Sequence, residues 1–322
     1  MINPPKFWLK RWSLLSLLLR PLGWVYGSIV FLRFKLTLST KVKIPVVCVG
    51  NLTLGGTGKT PVILSLAKFF QQKKIKVGVL TRGYGGNLKG PVKVEKFHKA
   101  LDVGDEALLL AKRIPTWVSR DRAKGARMMV SAGVQLILMD DGFQNPGLSK
   151  DLNLVVVDSK QRFGNGQVFP SGPLREFLRV GMQRADAFVL MGENSAFLEK
   201  SEKPAFKATL VPSVPLPDQQ KYFAFAGIGI PEKFFETLKK AKVKIVGTAS
   251  FRDHHPYGEE EFKELLKKAQ NLSAVLLTTE KDWVRLTPAQ RKLVSQFPIE
   301  VKWDSEKILE KFLKERLHGS LD

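Results

Sequence analysis

The first 94 residues of this 322-residue chain contain neither aspartate nor glutamate. They hold sixteen of its lysines and arginines, so this stretch carries +16 of the formal net charge of +22 and the rest only +6. A chain this basic calls for an acidic partner: nucleic acid, an anionic membrane surface or a phosphorylated substrate. Cysteine is nearly absent as well. The single Cys48 excludes an internal disulfide framework. It lies in the apolar run Val46-Val47-Cys48-Val49, where a thiol is expected to be buried and inert, and such usage fits a reducing compartment. Only four histidines occur, and no Cys/His cluster forms, which argues against a structural zinc site. No internal repeat or low-complexity tract is visible. What is present is a globular composition, 44% hydrophobic and 10% aromatic, in a chain long enough for two domains.

Residues 12–32 read WSLLSLLLRPLGWVYGSIVFL, with Arg20 the one charge. The length could span a bilayer. Arg20-Pro21 near its middle argues against that, since charge is costly there and proline is expected to interrupt the helix. Lys10, Ser13, Ser16 and Arg20 recur at helical spacing on one face, and Trp8, Trp12, Leu15 and Leu19 on another. This is the pattern of a basic amphipathic helix lying in a membrane surface, with interfacial tryptophans. A secretory signal peptide is disfavoured by the lack of an A-x-A-like cleavage site. A buried N-terminal helix is the other alternative.

Beyond this segment, apolar β-branched runs alternate with helical patterns. Strands are expected at Lys43–Val49, Ile75–Leu80, Pro115–Ser119, Val134–Met139, Leu152–Val157 and Ala187–Met191. Helices are expected at Lys59–Gln71, Gly104–Lys112 and Arg122–Ser131. Continuous apolar strands between helices imply a mostly parallel, doubly wound α/β sheet, which binds ligands at the carboxyl ends of its strands. Proline-rich LVPSVPLPDQQ, within Lys203–Gln220, reads as an extended linker. After it the alternation resumes as a second, smaller α/β unit ending in a helix over Ser305–Leu317. The expected domains are therefore 1–36, 37–212 and 213–322.

The stretch LGGTGKTP follows a strand and opens a helix, the context of a phosphate-binding loop. Thr53, Leu54, Gly55, Gly56, Thr57, Gly58, Lys59 and Thr60 would form it, with backbone N–H groups and the helix N-terminus facing phosphate. Lys59 would reach the β- and γ-phosphates and Thr60 would hold Mg²⁺. The usual first glycine is replaced by Thr53. Downstream, LILMDD closes an apolar strand on Asp140 and Asp141, first and second candidates for the magnesium-coordinating acid. Gly104-Asp105-Glu106 at a helix start reads equally as caps or as functional acids. Asp253-His254-His255 is a candidate for orienting or accepting a proton. Arg82 and the stretch Gly172-Pro173-Leu174-Arg175-Glu176 add further candidates.

Together these stretches resemble one family, the tetraacyldisaccharide 4'-kinases that act on lipid A precursors in Gram-negative bacteria. The matching segments are VGNLTLGGTGKTP, TRGYGG, GDEALLLA, LILMDDGFQ, DLNLVVVD, PSGPLREF, SFRDHH and TTEKDWVRL, in the family's order from about Val49 to Leu286. The resemblance implies a P-loop NTPase-like fold with a smaller domain closing over the site. It also implies ATP-dependent, Mg²⁺-assisted phosphorylation of the 4'-hydroxyl of an acylated glucosamine disaccharide 1-phosphate. The family's catalytic acid falls on Asp105 and its partner histidine on His254. Glu106, Asp140, Asp141 and Glu176 match acids near magnesium or substrate, and Gln144 and Arg175 lie in matching motifs. The family's loop tolerates a non-glycine at Thr53. The family often has histidine where Asn145 stands here, so an acid/base role at that position is not carried over. The expected setting is the cytoplasmic face of the inner membrane, as a monomer and without nucleic acid. The alternative is a membrane-recruited switch ATPase of the partitioning type. Those proteins typically carry a lysine just before the two glycines, where this chain has Leu54.

Overall fold

The computed structural model describes residues 5–192, 201–217 and 219–317. The chain lays down strands β1 (Val46–Gly50), β2 (Val77–Thr81), β3 (Val92–Lys93), β4 (Thr116–Val118), β5 (Leu136–Asp140), β6 (Leu152–Asp158), β7 (Ala187–Met191) and β8 (Ala205–Pro212). It then builds a separate four-stranded parallel sheet, in the order β10-β9-β11-β12, from β9 (Tyr222–Ala226), β10 (Ile245–Ser250), β11 (Val275–Thr279) and β12 (Val294–Phe297). Strand β13 (Ile299–Trp303) returns to the first sheet, whose order is β13-β8-β7-β6-β1-β5-β2-β4-β3. Among the described strands, only the pairs β3–β4 and β8–β13 are antiparallel. The expected doubly wound, mostly parallel sheet with a smaller α/β unit is what forms.

Burial on both faces explains the apolar runs. Val47 and Val49 of β1 point to one side, where they pack with Val62, Ile63 and Leu66. Val46 and Cys48 point to the other, where they meet Ile137, Met139 and Phe188. Each such fully buried aliphatic chain contributes about 1.5–3 kcal/mol of transfer free energy.

The helix expected over Gly104–Lys112 forms as α4 (Asp105–Ala111), and a short helix the sequence did not suggest, α3 (Ala100–Val103), precedes it across Gly104 at φ +89°. Two sequence expectations are corrected. Residues 210–212, the start of the expected linker, are instead the end of strand β8, which pairs with β7 on one side and β13 on the other. The stretch expected to close the smaller unit does not stay there: β13 and the helix Glu306–Leu317 pack Val301, Trp303, Leu309 and Leu313 into the core of the large sheet. Apolar spacing gave that helix its existence but could not say which sheet it would cover.

At the other end, a 3₁₀ turn at Lys6–Leu9 leads into a 23-residue helix, α1 (Leu14–Leu36); residues 1–4 of the expected N-terminal segment lie outside the described residues. Pro21 sits inside α1 instead of interrupting it. It is the eighth residue of α1, past the first turn, so the helix runs on without the bond that an N–H there would make to Leu17 O. The expected polar face is the docking face. Ser16 donates to Ser171 O at 2.8 Å, and Ser171 Oγ donates back to Ser16 O at 2.6 Å. Trp8, expected at an interface, is buried and donates from Nε1 to Pro170 O at 3.0 Å. Gly27 lets the helix lie against Phe177, since a Cβ there would sit 2.6 Å from its ring. The opposite face keeps Trp12, Leu18, Trp24 and Ile29 exposed. By length and composition α1 could cross a membrane, with only 17% of its most apolar window buried.

Candidate active site

The site lies at the carboxyl ends of β1, β2 and β5. After β1 the chain runs through the loop to α2 (Lys59–Gln72), whose N-cap Gly58 has φ +90°, the left-handed region that favours glycine. Gly55 turns at φ +105°, and no heavy atom lies within 4 Å of where a Cβ would stand at Gly55 or Gly56. The backbone therefore offers an open cradle at a helix N-terminus. Thr57 Oγ1 is buried there with no hydrogen-bond partner.

Thr53 needs no glycine because the chain does not turn at it. It bridges antiparallel to Leu174, flanked by Arg175 N→Leu52 O and Leu54 N→Pro173 O, both 2.8 Å. Its carbonyl accepts from Asn51 Nδ2 at 2.8 Å and Arg175 Nε at 3.1 Å. The GPLRE stretch thus splints the loop.

Two acids follow β5. Asp140 is buried and accepts from Thr81 Oγ1 at 3.1 Å. Burial, with the nearby charges of Glu106 and Asp141, raises its carboxyl to about 7. Asp141, at φ +48°, takes two bonds from Arg175 Nη1 (2.8 and 3.0 Å) and lies 3.4 Å from Lys59 Nζ. Burial opposes its charge, but Lys59 and Arg175 outweigh it and hold Asp141 below the usual carboxylate range. Arg122, buried behind these acids, is lowered to about 10 by desolvation. Nothing in the sequence marks it, because an arginine at a helix start looks like surface.

Across the cleft, His254 of the small unit sits at φ +61°, a conformation histidine adopts more readily than most residues, and places Nδ1 3.0 Å from Asp105 Oδ2. Tyr84 of the TRGYGG stretch flanks it, with ring centroids 5.5 Å apart. Asp105 also accepts from Arg285 Nε at 2.8 Å. Although burial opposes ionisation, His254, Lys281 and Arg285 hold it below the usual range. Lys281 lies 3.3 Å from Glu106 and 3.5 Å from Asp253. Lys281, Asp282 and Arg285 all come from TTEKDWVRL, a stretch to which the sequence analysis gave no role.

Other candidates lie apart. Glu176 is buried and faces Arg184, accepting from its Nη2 at 2.6 Å and from Gln144 Nε2 at 3.0 Å. Its charge is spent on that pair. Gln144 also donates to Asn51 O at 2.9 Å, so it supports the loop. Asn145 accepts from Gly147 N at 3.1 Å and shapes its own turn. Arg82 is exposed beside the cleft, and His255 pairs with Glu261 at 2.6 Å, away from Asp105. Among the described residues, no group of three His, Cys, Asp or Glu encloses a metal position.

This geometry has relatives. The chain matches the family described as tetraacyldisaccharide-1-P 4'-kinase over residues 15–318. A tetraacyldisaccharide 4'-kinase of Rhodospirillum rubrum is 44% identical, with 99% of each chain covered. One from Parvibaculum lavamentivorans is 46% identical, over 89% of this chain and 88% of the relative. Among solved structures, the "apo" form LpxK from Aquifex aeolicus in complex with ATP superposes with a TM-score of 0.78 at 28% identity, covering 95% of this chain and 100% of that one. The chain belongs to the tetraacyldisaccharide-1-phosphate 4'-kinase family.

Proposed function

We propose that this chain transfers the γ-phosphoryl group of ATP to the 4'-hydroxyl of a tetraacylated glucosamine disaccharide 1-phosphate, at the cytoplasmic face of the inner membrane. The observation that carries the reading is the meeting of Asp105 and His254, from different units, beside a phosphate loop. Full-length kinase relatives set aside the partitioning-type ATPase.

In this reading the Gly55–Gly58 backbone cradles the phosphates. Lys59 neutralises charge on the transferring group, with Arg175 next to it on Asp141 and Arg82 at the exposed edge of the cleft. Asp105 accepts a hydrogen bond from the sugar hydroxyl, then its proton as the new O–P bond forms and ADP leaves. His254 fixes the carboxylate's orientation. Transfer of this kind depends on positioning and charge neutralisation more than on a strong base.

Magnesium fits the residues present. Asp140 is a buried carboxyl raised by neighbouring negative charge, a position a dication would relieve. Magnesium in kinases keeps several waters and takes few protein ligands, so no closed cage of acids is required. Thr60 and Asp140 would hold it, and bound there it would screen phosphate charge. Glu106, whose charge acts on Asp140, lies beside this position while ion-paired with Lys281, whereas Glu176, ion-paired with Arg184, is engaged elsewhere.

The exposed face of α1, in a segment without acids, would lie in an anionic membrane surface where the lipid substrate resides. The functional unit we propose is a monomer that binds no nucleic acid.

The test is direct. Purified protein in detergent with γ-labelled ATP and the tetraacyl disaccharide 1-phosphate should move label to the lipid. Folded, ATP-binding protein that leaves the lipid unlabelled would rule the reading out.

A further inference from the structure

The same residues that hold Asp105 are themselves held, and the anchor lies wholly in the small unit. Arg285 reaches Asp105 Oδ2 through Nε at 2.8 Å and through Nη2. With Nη1 it donates to Asp282 Oδ1 at 2.8 Å and Gly227 O at 2.7 Å. Asp282 is fully buried. It accepts from Gly227 N at 2.9 Å, Tyr257 Oη at 2.8 Å and Thr279 Oγ1 at 2.6 Å. Arg285 therefore has no freedom to rotate: both ends of its guanidinium are bound, and the fork geometry fixes its plane.

The consequence falls on one oxygen. Oδ2 of Asp105 is taken by His254 and Arg285, whereas among the described residues Oδ1 accepts only the neighbouring Glu106 N–H at 3.0 Å. A carboxylate oxygen has room for a second donor. Oδ1 is thus the oxygen left to meet an incoming hydroxyl, and the clamp on Oδ2 sets where it points.

We infer that Arg285, anchored by Asp282, is a positioning residue for the transfer reaction: it fixes Asp105 so that Oδ1 faces the acceptor hydroxyl. This rests on the reading of Asp105 as the proton acceptor. It makes the working group three residues, with two of them contributed by the small unit. A plain interdomain ion pair would predict only loss of stability or of nucleotide affinity.

The experiment uses the full-length enzyme in the lipid kinase assay. Arg285→Gln should lower kcat about 10- to 100-fold, the scale of a misplacement near 1 Å, and leave the KM for ATP within about twofold, since no contact to nucleotide is removed. Arg285→Lys, which keeps charge but loses the fork, should recover part of that loss. On the residual activity of Asp105→Asn, adding Arg285→Gln should cost nothing more, because the two act as one unit. Asp282→Asn, which leaves Arg285 in place, should lower kcat in the same direction and guards against a misfolded arginine variant. Unchanged kcat in Arg285→Gln, a raised KM for ATP with intact kcat, or a further loss on the Asp105→Asn background would each overturn the clamp. An inactive Asp105→Asn beside a fully active Arg285→Gln defeats the clamp alone. An active Asp105→Asn overturns the proton-acceptor reading and the clamp together.

Discussion

His254 Nδ1 lies 3.0 Å from Asp105 Oδ2 across 149 positions of sequence, joining the small unit to the start of α4. Replacing either partner should slow chemistry without emptying the nucleotide site. Asp105→Asn and His254→Asn are expected to lower kcat by about 10²–10⁴, with ATP affinity measured by calorimetry unchanged. A comparable loss of ATP affinity would assign the pair to nucleotide binding instead.

Lys59 shares Asp141 with Arg175. Lys59→Ala should therefore act on the transferring phosphate and not on the fold, because Arg175 still balances Asp141. The expected result is turnover reduced by about two orders of magnitude or more with a melting temperature within a few degrees of the parent. A large drop in melting temperature would show that the lysine serves structure first.

Glu176, buried behind the loop, pairs with Arg184, whose side chain stays a quarter exposed. Glu176→Gln removes a charge-assisted hydrogen bond and should cost about 1.5–3 kcal/mol in denaturant unfolding, equally with and without Mg²⁺. A loss seen only with Mg²⁺ present would return Glu176 to the metal site that the sequence suggested.

Cys48 is fully buried, and desolvation raises its thiol to about 11. The folded chain holds this proton between its ordinary titration near 9 and about 11, while the unfolded chain has lost it. The raised value adds stability that is present below about 9 and is lost as pH rises toward 11. Cys48→Val, which keeps the apolar contacts, should flatten part of the fall in melting temperature between pH 8 and 10.5. An identical alkaline profile in the variant would refute this. In the native protein the thiol should resist labelling reagents until unfolding.

The outward face of α1 should carry membrane attachment. Leu18→Asp, Trp24→Asp and Ile29→Asp change exposed positions and leave the Ser16–Ser171 bonds intact. Combined, they should abolish flotation with anionic vesicles while preserving the melting curve. Continued flotation would place the attachment elsewhere.

How far the sequence carried varies with the range of the interaction. Strands such as Leu152–Val157 and Ala187–Met191 were legible because burial on both faces leaves a continuous apolar run. The phosphate loop and the acids after β5 were legible because their chemistry is contiguous. Arg285 was not, since nothing local distinguishes it from a surface arginine; its meaning comes from Asp105, 180 positions away. Ser16 misled for a related reason: helical spacing reveals a polar face but not whether water or another segment will satisfy it. Strand β13 was missed although IEVKW alternates strictly between apolar and polar residues, because five residues are a short signal and its partner β8 runs into a stretch whose prolines suggested a linker.

The return of β13 to the first sheet has a practical corollary for dissecting the molecule. Ser213 N donates to Pro298 O at 3.0 Å, so the chain leaves for the small sheet and comes back at neighbouring points. Cutting after residue 212 would strip Val301, Trp303 and Leu309 from the core and leave β8 an unpaired edge. The natural excision is internal: a short turn joining Ser213 to Pro298 would remove the small unit whole, with His254 and Arg285, and leave all nine strands of the nucleotide-facing sheet in place.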